Sequence, residues 1–140
     1  MKKKMIIIGG GISGIYLSIL LKKYLDMDVV VLEANDKPLK KLLATGNGRC
    51  NLSNKDLDKA HYDGDIKPWV NDIIHDFDIV EEALKDIGLY TKYMGNLLYP
   101  YSESAKAVQT LFLNRAEEYG VEIICEEEVL SIKKNKHGYL

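Results

Sequence analysis

The run Met5-Ile6-Ile7-Ile8-Gly9-Gly10-Gly11-Ile12-Ser13-Gly14, answered further on by Asp28-Val29-Val30-Val31-Leu32-Glu33, decides how the rest of the chain is read. Met5 to Ile8 is short, continuously apolar and β-branched, which predicts a strand buried on both faces, as in a parallel sheet. After the glycines, Ile12, Ile15, Tyr16, Ile19 and Leu20 recur at helical spacing. Lys22 and Lys23 fall in the last turns, where cations suit the helix dipole. Asp28 to Leu32 is a second buried strand. Strand, glycine turn, helix and strand within about 30 residues make a βαβ unit, whose crossover is right-handed.

The glycines carry chemistry. In Gly9-x-Gly11-x-x-Gly14 the first glycine allows a tight turn, the second lets backbone approach a pyrophosphate, and the third lets the helix pack close to the sheet. The helix start, with Ile12 and Ser13, then offers free N–H groups and positive dipole to phosphate. Glu33 closes the second strand, 19 residues after Gly14. Its carboxylate can accept hydrogen bonds from both hydroxyls of an adenosine ribose, and its charge would repel a 2′-phosphate. FAD and NAD fit this half-site equally well.

Composition agrees with one α/β domain. The chain has 140 residues, 46% of them hydrophobic, enough for a real core. A balance of 19 basic against 21 acidic residues argues against a strongly basic nucleic-acid binder. Cys50 and Cys125 form no CxxC pair and fit a reducing compartment. The basic start Lys2-Lys3-Lys4 precedes an apolar run that stops at Gly9, too short for a signal peptide, and no stretch approaches the roughly 20 apolar residues of a membrane span. A cytoplasmic, soluble protein is the expectation.

Residues 34–66 hold many Asn, Asp, Lys and Gly and read mostly as loop; a loop this long is usually functional. Val70, Ile73, Phe77, Val80, Leu84 and Ile87 then predict one amphipathic helix or two in succession, ending at Gly88. Residues 89–101 read as an irregular hairpin turning at Gly95-Asn96. Ser102 or Ser104 caps a further helix with Glu103 in its first turn and Val108, Leu111, Phe112 and Tyr119 on its buried face; Gly120 stops it. Val121 to Cys125 is another strand and Val129 to Lys133 begins one more. Lys136-His137-Gly138 predicts a hairpin turn before Tyr139.

The second motif is Lys41-Leu42-Leu43-Ala44-Thr45-Gly46-Asn47-Gly48-Arg49-Cys50-Asn51. Gly46, Asn47 and Gly48 can all take left-handed backbone angles, which suits a nest of N–H groups around an anion. Arg49 is one of two arginines, and its guanidinium offers phosphate a bidentate fork. The competing reading, a plain Asn-Gly hairpin, lacks alternating flanks. Cys50 beside Arg49 admits a redox reading through a lowered pKa, outweighed by a packing role; Cys125 is core. Asp72, His75 and Asp76 have metal-like spacing, but a solvated face accounts for them better, and Asp63-Gly64-Asp65 lacks the other ligands of a calcium loop. No metal site is expected.

Gly9 to Gly14, Glu33 and above all KLLATGNGRCNLSN at residues 41–54 closely resemble a bacterial family of NAD(P)/FAD-dependent oxidoreductases, also described as aminoacetone-oxidase-family FAD-binding flavoproteins, which includes a flavoprotein of bile-acid dehydroxylation. Residues 95–108 are similar to the family's Gly-Arg-x-x-Pro-x-Ser stretch before a helix. Leu39 and Lys40 stand where the family often has Gly-Arg, and Asn96 where an Arg is common. The resemblance implies a Rossmann-like fold with FAD as cofactor and NAD(P)H as a candidate electron donor. Gly9, Gly11, Ile12, Ser13, Gly14 and Glu33 would serve the ADP half; Lys41, Gly48, Arg49, Cys50 and Asn51 would lie near the pyrophosphate, ribityl or flavin region.

Family members are several hundred residues long, so residues 1–140 are expected to be the N-terminal part of an FAD-binding domain, with the substrate domain and a returning C-terminal segment absent. An incomplete sheet, with a small β segment near the C-terminus, leaves an unpaired edge that invites self-association. Function is expected to be the FAD-binding portion of a flavin-dependent oxidoreductase acting on a small molecule, inactive as these 140 residues alone, with no nucleic-acid or membrane partner. An NAD-binding dehydrogenase module and a non-catalytic fragment are the alternatives. No residue identifies itself as catalytic.

Overall fold

A computed structural model describes residues 3–25, 27–57, 59–62, 70, 77–136 and 138–139. In chain order the elements are β1 (Lys3–Ile8), α1 (Ile12–Tyr24), β2 (Met27–Glu33), β3 (Ser53–Asn54), α2 (Phe77–Asp86), β4 (Thr91–Met94), β5 (Leu97–Pro100), α3 (Ala105–Glu118), β6 (Glu122–Cys125), β7 (Lys134–Asn135) and β8 (Gly138–Tyr139), with a 3₁₀ turn over Lys59–His61 and a 3₁₀ segment over Lys41–Gly48 that is broken by non-helical angles at Thr45, Gly46 and Asn47. Residues 1–42 with 112–140 form one compact unit and residues 43–111 another.

The first unit is built on a parallel sheet of order β1-β2-β6. Its register pairs Ile8 with Leu32 and Glu33 with Cys125. Three consecutive valines of the central strand, Val29, Val30 and Val31, are buried, as a strand covered on both faces requires. Strand β1 departs from that expectation. Ile7 is buried, but Ile6 and Ile8 are 52% and 53% exposed. They share the opposite face of an edge strand, which the described residues leave uncovered. Helix α1 turns Ile15 and Ile19 inward, both fully buried, each worth roughly 1.5–3 kcal/mol against exposure. The Tyr16 ring meets Phe112 edge-on at 5.9 Å. Lys22 and Lys23 occupy its last turn as expected.

The expected strand at Val129–Lys133 does not form: Leu130 and Ile132 stand exposed, with no strand paired to them among the described residues. Apolar alternation alone makes no strand without a neighbour to take its hydrogen bonds. Pairing resumes in the small β7–β8 hairpin, around the turn expected near Gly138.

The second unit carries an antiparallel sheet of order β3-β5-β4. Strands β4 and β5 are the expected hairpin, turning at Gly95-Asn96 with Gly95 at φ 62°. Helix α2 ends at Gly88, φ 89°, and Val70 and Ile87 are buried, but Val80 on the expected apolar stripe is exposed. Glu81, off that stripe, accepts hydrogen bonds from the Thr91 and Tyr93 hydroxyls and so ties α2 to β4. Ser104 caps α3, its Oγ accepting from the Ala107 amide at 3.2 Å. Glu103 lies ahead of the helix rather than in its first turn: at φ 47° its carboxylate pairs with Lys92. The Asp63-Gly64-Asp65 stretch and Asp72, His75 and Asp76 lie outside the described residues. Among the described residues no helix is long and apolar enough to cross a membrane.

Candidate functional site

The glycine turn connects β1 to α1, and its glycines answer to different constraints. Gly9 takes φ 101°, a value side-chain-bearing residues avoid, while its amide donates to the Leu32 carbonyl at 2.8 Å. A Cβ on Gly14 would fall inside the contact shell of the Gly9 carbonyl oxygen, so this glycine sets how closely α1 approaches the turn. Gly11 is otherwise. Its φ of −71° and ψ of 175° suit any residue, and a Cβ there would meet no protein atom within 4 Å. The fold itself does not require glycine at residue 11, and the space in front of the helix start is open. Gly11 is the N-cap, yet no side chain caps the first turn, and no acidic residue stands in it. Ile12 and Ser13 are exposed there, as an amide cradle for an anion demands.

Glu33 sits at the end of β2, only 8% exposed. Its Oε2 accepts the Gly10 amide at 2.7 Å, and its Oε1 accepts the Asn35 backbone amide at 2.8 Å together with the Asn35 side-chain amide. The Asn35 backbone amide, then the Asn35 side chain, hold the carboxyl below the ordinary glutamate range; burial opposes them, while Gly10 and the Lys40 charge assist. An ionised carboxylate therefore stands beside the glycine turn.

Gly10 is held at both polar atoms, its carbonyl accepting the Leu39 amide at 2.8 Å. Leu39 is buried at φ 60°, so a leucine takes the left-handed conformation at a position where glycine would be unstrained. Gly10, Asn35 and Leu39 were not legible as site residues. One available signal was a fourth glycine, Gly10, where the fingerprint needs none: a Cβ on it would come within 2.9 Å of Glu33 Oε2 and 3.0 Å of Pro38.

In the second unit, residues 45–50 form a tight left-handed turn. Gly46 (φ 55°), Asn47 (φ 57°) and Gly48 (φ 83°) all take positive φ, as expected, and Cys50 (φ 62°) does too. No paired strands flank the turn among the described residues, so it is not a hairpin. The Arg49 and Cys50 amides bond the Gly46 and Thr45 carbonyls and close the turn. A Cβ on Gly46 would lie 2.5 Å from the Asn51 amide nitrogen and 3.1 Å from the Tyr99 ring. The exposed Arg49 guanidinium lies over that ring at 5.1 Å, in cation–π geometry. Lys41, Gly48 and Asn51 are exposed as well, whereas Cys50 is 1% exposed. Burial pushes the Cys50 thiol up, more than a hydrogen bond with Thr45 lowers it. That is the packing role, not the redox one. Among the described residues no group of His, Cys, Asp and Glu could hold a metal ion.

A parallel βαβ unit with this turn, an open helix start and an acidic residue closing β2 defines a Rossmann domain. The chain belongs to the HI0933-like protein Rossmann domain family, whose model matches residues 3–140. It is 35% identical over 137 residues to the 3-dehydro-bile acid delta(4,6)-reductase of Clostridium scindens, covering 96% of this chain and 34% of that protein. It is 27% identical over 138 residues to the ribosomal RNA dihydrouridine synthase of Escherichia coli, covering 96% and 34%. The chain thus spans about a third of the length of the curated relatives it matches. Among solved structures, Thermovibrio ammonificans THI4 superimposes with a TM-score of 0.63 at 15% identity, covering 99% of this chain and 44% of that one. L-proline dehydrogenase from P. horikoshii gives 0.51 at 14%, covering 99% and 50%. These two likenesses carry the fold alone.

Proposed function

We propose that this chain is the FAD-binding portion of a flavin-dependent oxidoreductase, with the glycine turn taking the pyrophosphate and Glu33 the adenosine ribose of FAD. The observation that carries this reading is the open, uncapped start of α1 at Gly11, where neither the backbone angles nor a protein neighbour calls for glycine. The amides of Ile12, Ser13 and Gly14 would face the phosphates, strengthened by the helix dipole. Glu33, already accepting three N–H donors, keeps one of its roughly four acceptor positions, on Oε2, so it would take one ribose hydroxyl rather than two. Lys41, Gly48, Arg49 and Asn51 are proposed as contacts nearer the flavin on the family resemblance, with Cys50 supporting the turn from within.

Bound flavin would supply hydride chemistry that no side chain provides. The names of the curated relatives favour one reaction class for the whole protein. A 3-dehydro-bile acid delta(4,6)-reductase and a ribosomal RNA dihydrouridine synthase are both named for reduction at a carbon–carbon double bond. The whole protein is therefore proposed to add hydride and proton across such a bond, with NAD(P)H as the source of electrons. The test is a titration of the 140-residue chain with ADP, FAD, NAD⁺ and NADP⁺ by calorimetry. ADP and FAD are expected to compete for one site; a chain that binds NAD⁺ but neither ADP nor FAD would favour the dehydrogenase-module reading.

A further inference from the structure

Asn35 is a residue that the pyrophosphate and ribose assignments leave without a role. Both N–H donors on Glu33 Oε1 come from it, the backbone amide at 2.8 Å and the side-chain amide Nδ2 beside it. Its own carbonyl accepts the Glu126 amide at 3.0 Å, so the residue is tied down on its other side. The remaining carboxylate oxygen, Oε2, is turned to the Gly10 amide. Asn35 thereby determines which Glu33 oxygen stays open to a ligand. The role needs a side chain with a hydrogen to donate: aspartate would set a second negative charge against Oε1, and alanine would leave the backbone amide alone to stop the carboxylate turning.

We propose that Asn35 is a positioning residue that locks the Glu33 carboxylate with one oxygen toward the nucleotide, and so sets the preference for a free 2′-hydroxyl over a 2′-phosphate. This rests on the nucleotide reading of the glycine turn. With Nδ2 in place the negative charge is fixed where a 2′-phosphate would have to sit. Without it the carboxylate rotates, the hydrogen bond to the ribose is lost, and the repulsion of a 2′-phosphate weakens with it.

The experiment compares binding of ADP and of its 2′-phosphorylated form to the 140-residue chain, as wild type, Asn35→Ala and Asn35→Ser. Wild type is expected to prefer ADP. Asn35→Ala should reduce that preference about tenfold, the scale of one hydrogen bond to a charged group, chiefly by weakening ADP. Asn35→Ser, whose hydroxyl can donate to Oε1, should recover most of it. Amide exchange at Gly10 in the free chain should quicken in Asn35→Ala and return toward wild type in Asn35→Ser. A merely structural role would weaken both ligands equally and leave their ratio unchanged, and that result overturns the proposal alone. Wild type binding neither ligand overturns the nucleotide reading and this inference with it. Should Asn35→Ala fail to fold, the ratio in Asn35→Ser decides; failure of both to fold assigns Asn35 to stability and overturns the proposal.

Discussion

Gly11 and Gly14 lie in one turn, yet a methyl group added to each should do opposite things. At residue 14 the new Cβ runs into the Gly9 carbonyl oxygen and comes within 3.2 Å of the buried Ile7 side chain. Neither obstacle is the free end of a flexible chain, so α1 has to back away from the sheet. Overpacking against fixed neighbours costs typically 1–3 kcal/mol and occasionally more, while alanine recovers about 1 kcal/mol of helix propensity over glycine. With backbone as the obstruction the upper end applies, leaving Gly14→Ala about 2 kcal/mol less stable and its Tm lower by about 4–8 °C. At residue 11 no protein atom lies within 4 Å of the new methyl and the backbone angles are ordinary. The weaker N-cap preference of alanine is offset by a stiffer unfolded chain, so stability should move by less than about 0.5 kcal/mol. The methyl occupies ligand space instead, and Gly11→Ala should lose ADP affinity at least about tenfold, Gly11→Val more, a loss of roughly 1.4 kcal/mol or greater. Urea denaturation followed by circular dichroism, with calorimetric ADP titration of the same samples, separates the two effects. A Gly11→Val protein that is folded and binds ADP like wild type refutes the phosphate-turn reading; a Gly14→Ala protein as stable as wild type refutes the packing argument.

Glu33→Ala should weaken nucleotide binding by about 1–3 kcal/mol and also destabilise the free chain, since the Gly10 amide loses its acceptor; affinity unchanged by titration removes Glu33 from the site. Because the Glu33 carboxyl is held below its ordinary value of 4.5, its contribution to stability is complete above that value and disappears as pH falls through the lower folded one. Wild type should therefore lose stability more steeply than Glu33→Gln on acidification below pH 4.5, as read from chemical denaturation at successive pH values. Cys50, buried and with a raised pKa, should resist alkylation at neutral pH until the chain is unfolded; rapid labelling of the native protein would contradict the closed turn. The exposed Ile6 and Ile8 on edge strand β1 should drive self-association, with Ile6→Lys lowering the mass seen by light scattering.

The βαβ unit was legible because three periodicities agree there: a continuous apolar run, a helical stripe and a second apolar run, punctuated by glycines with separate tasks. The β4–β5 hairpin and the stops at Gly88 and Gly120 were legible for the same local reasons. Burial on β1 was misread because composition cannot distinguish a central strand from an edge strand; only sheet order does, and the neighbour of β2 on its other side arrives nearly 90 residues later. At the site, Gly9, Gly14 and Glu33 announced themselves through spacing. Asn35 and Leu39 did not, since their roles depend on where Glu33 and Gly10 turn their polar atoms in three dimensions. For Leu39 the residue type even points the wrong way, as leucine gives no hint of a positive φ.

The late arrival of β6 also matters while the protein is being made. β1, α1 and β2 have left the ribosome long before Glu122 is added to the chain, and at about 5–20 residues per second the interval between Glu33 and Glu122 lasts roughly 5–20 s. Throughout it, the side of β2 that will pair Val30–Glu33 with Glu122–Cys125 has no partner strand from its own chain. Nascent chains crowded on one message would then present matching apolar edges to one another, a hazard that ends for β2 when residues 122–125 emerge and pair with it. Slower translation across residues 43–111 would lengthen that exposure, and holdase chaperones that mask strand edges would shorten its consequences.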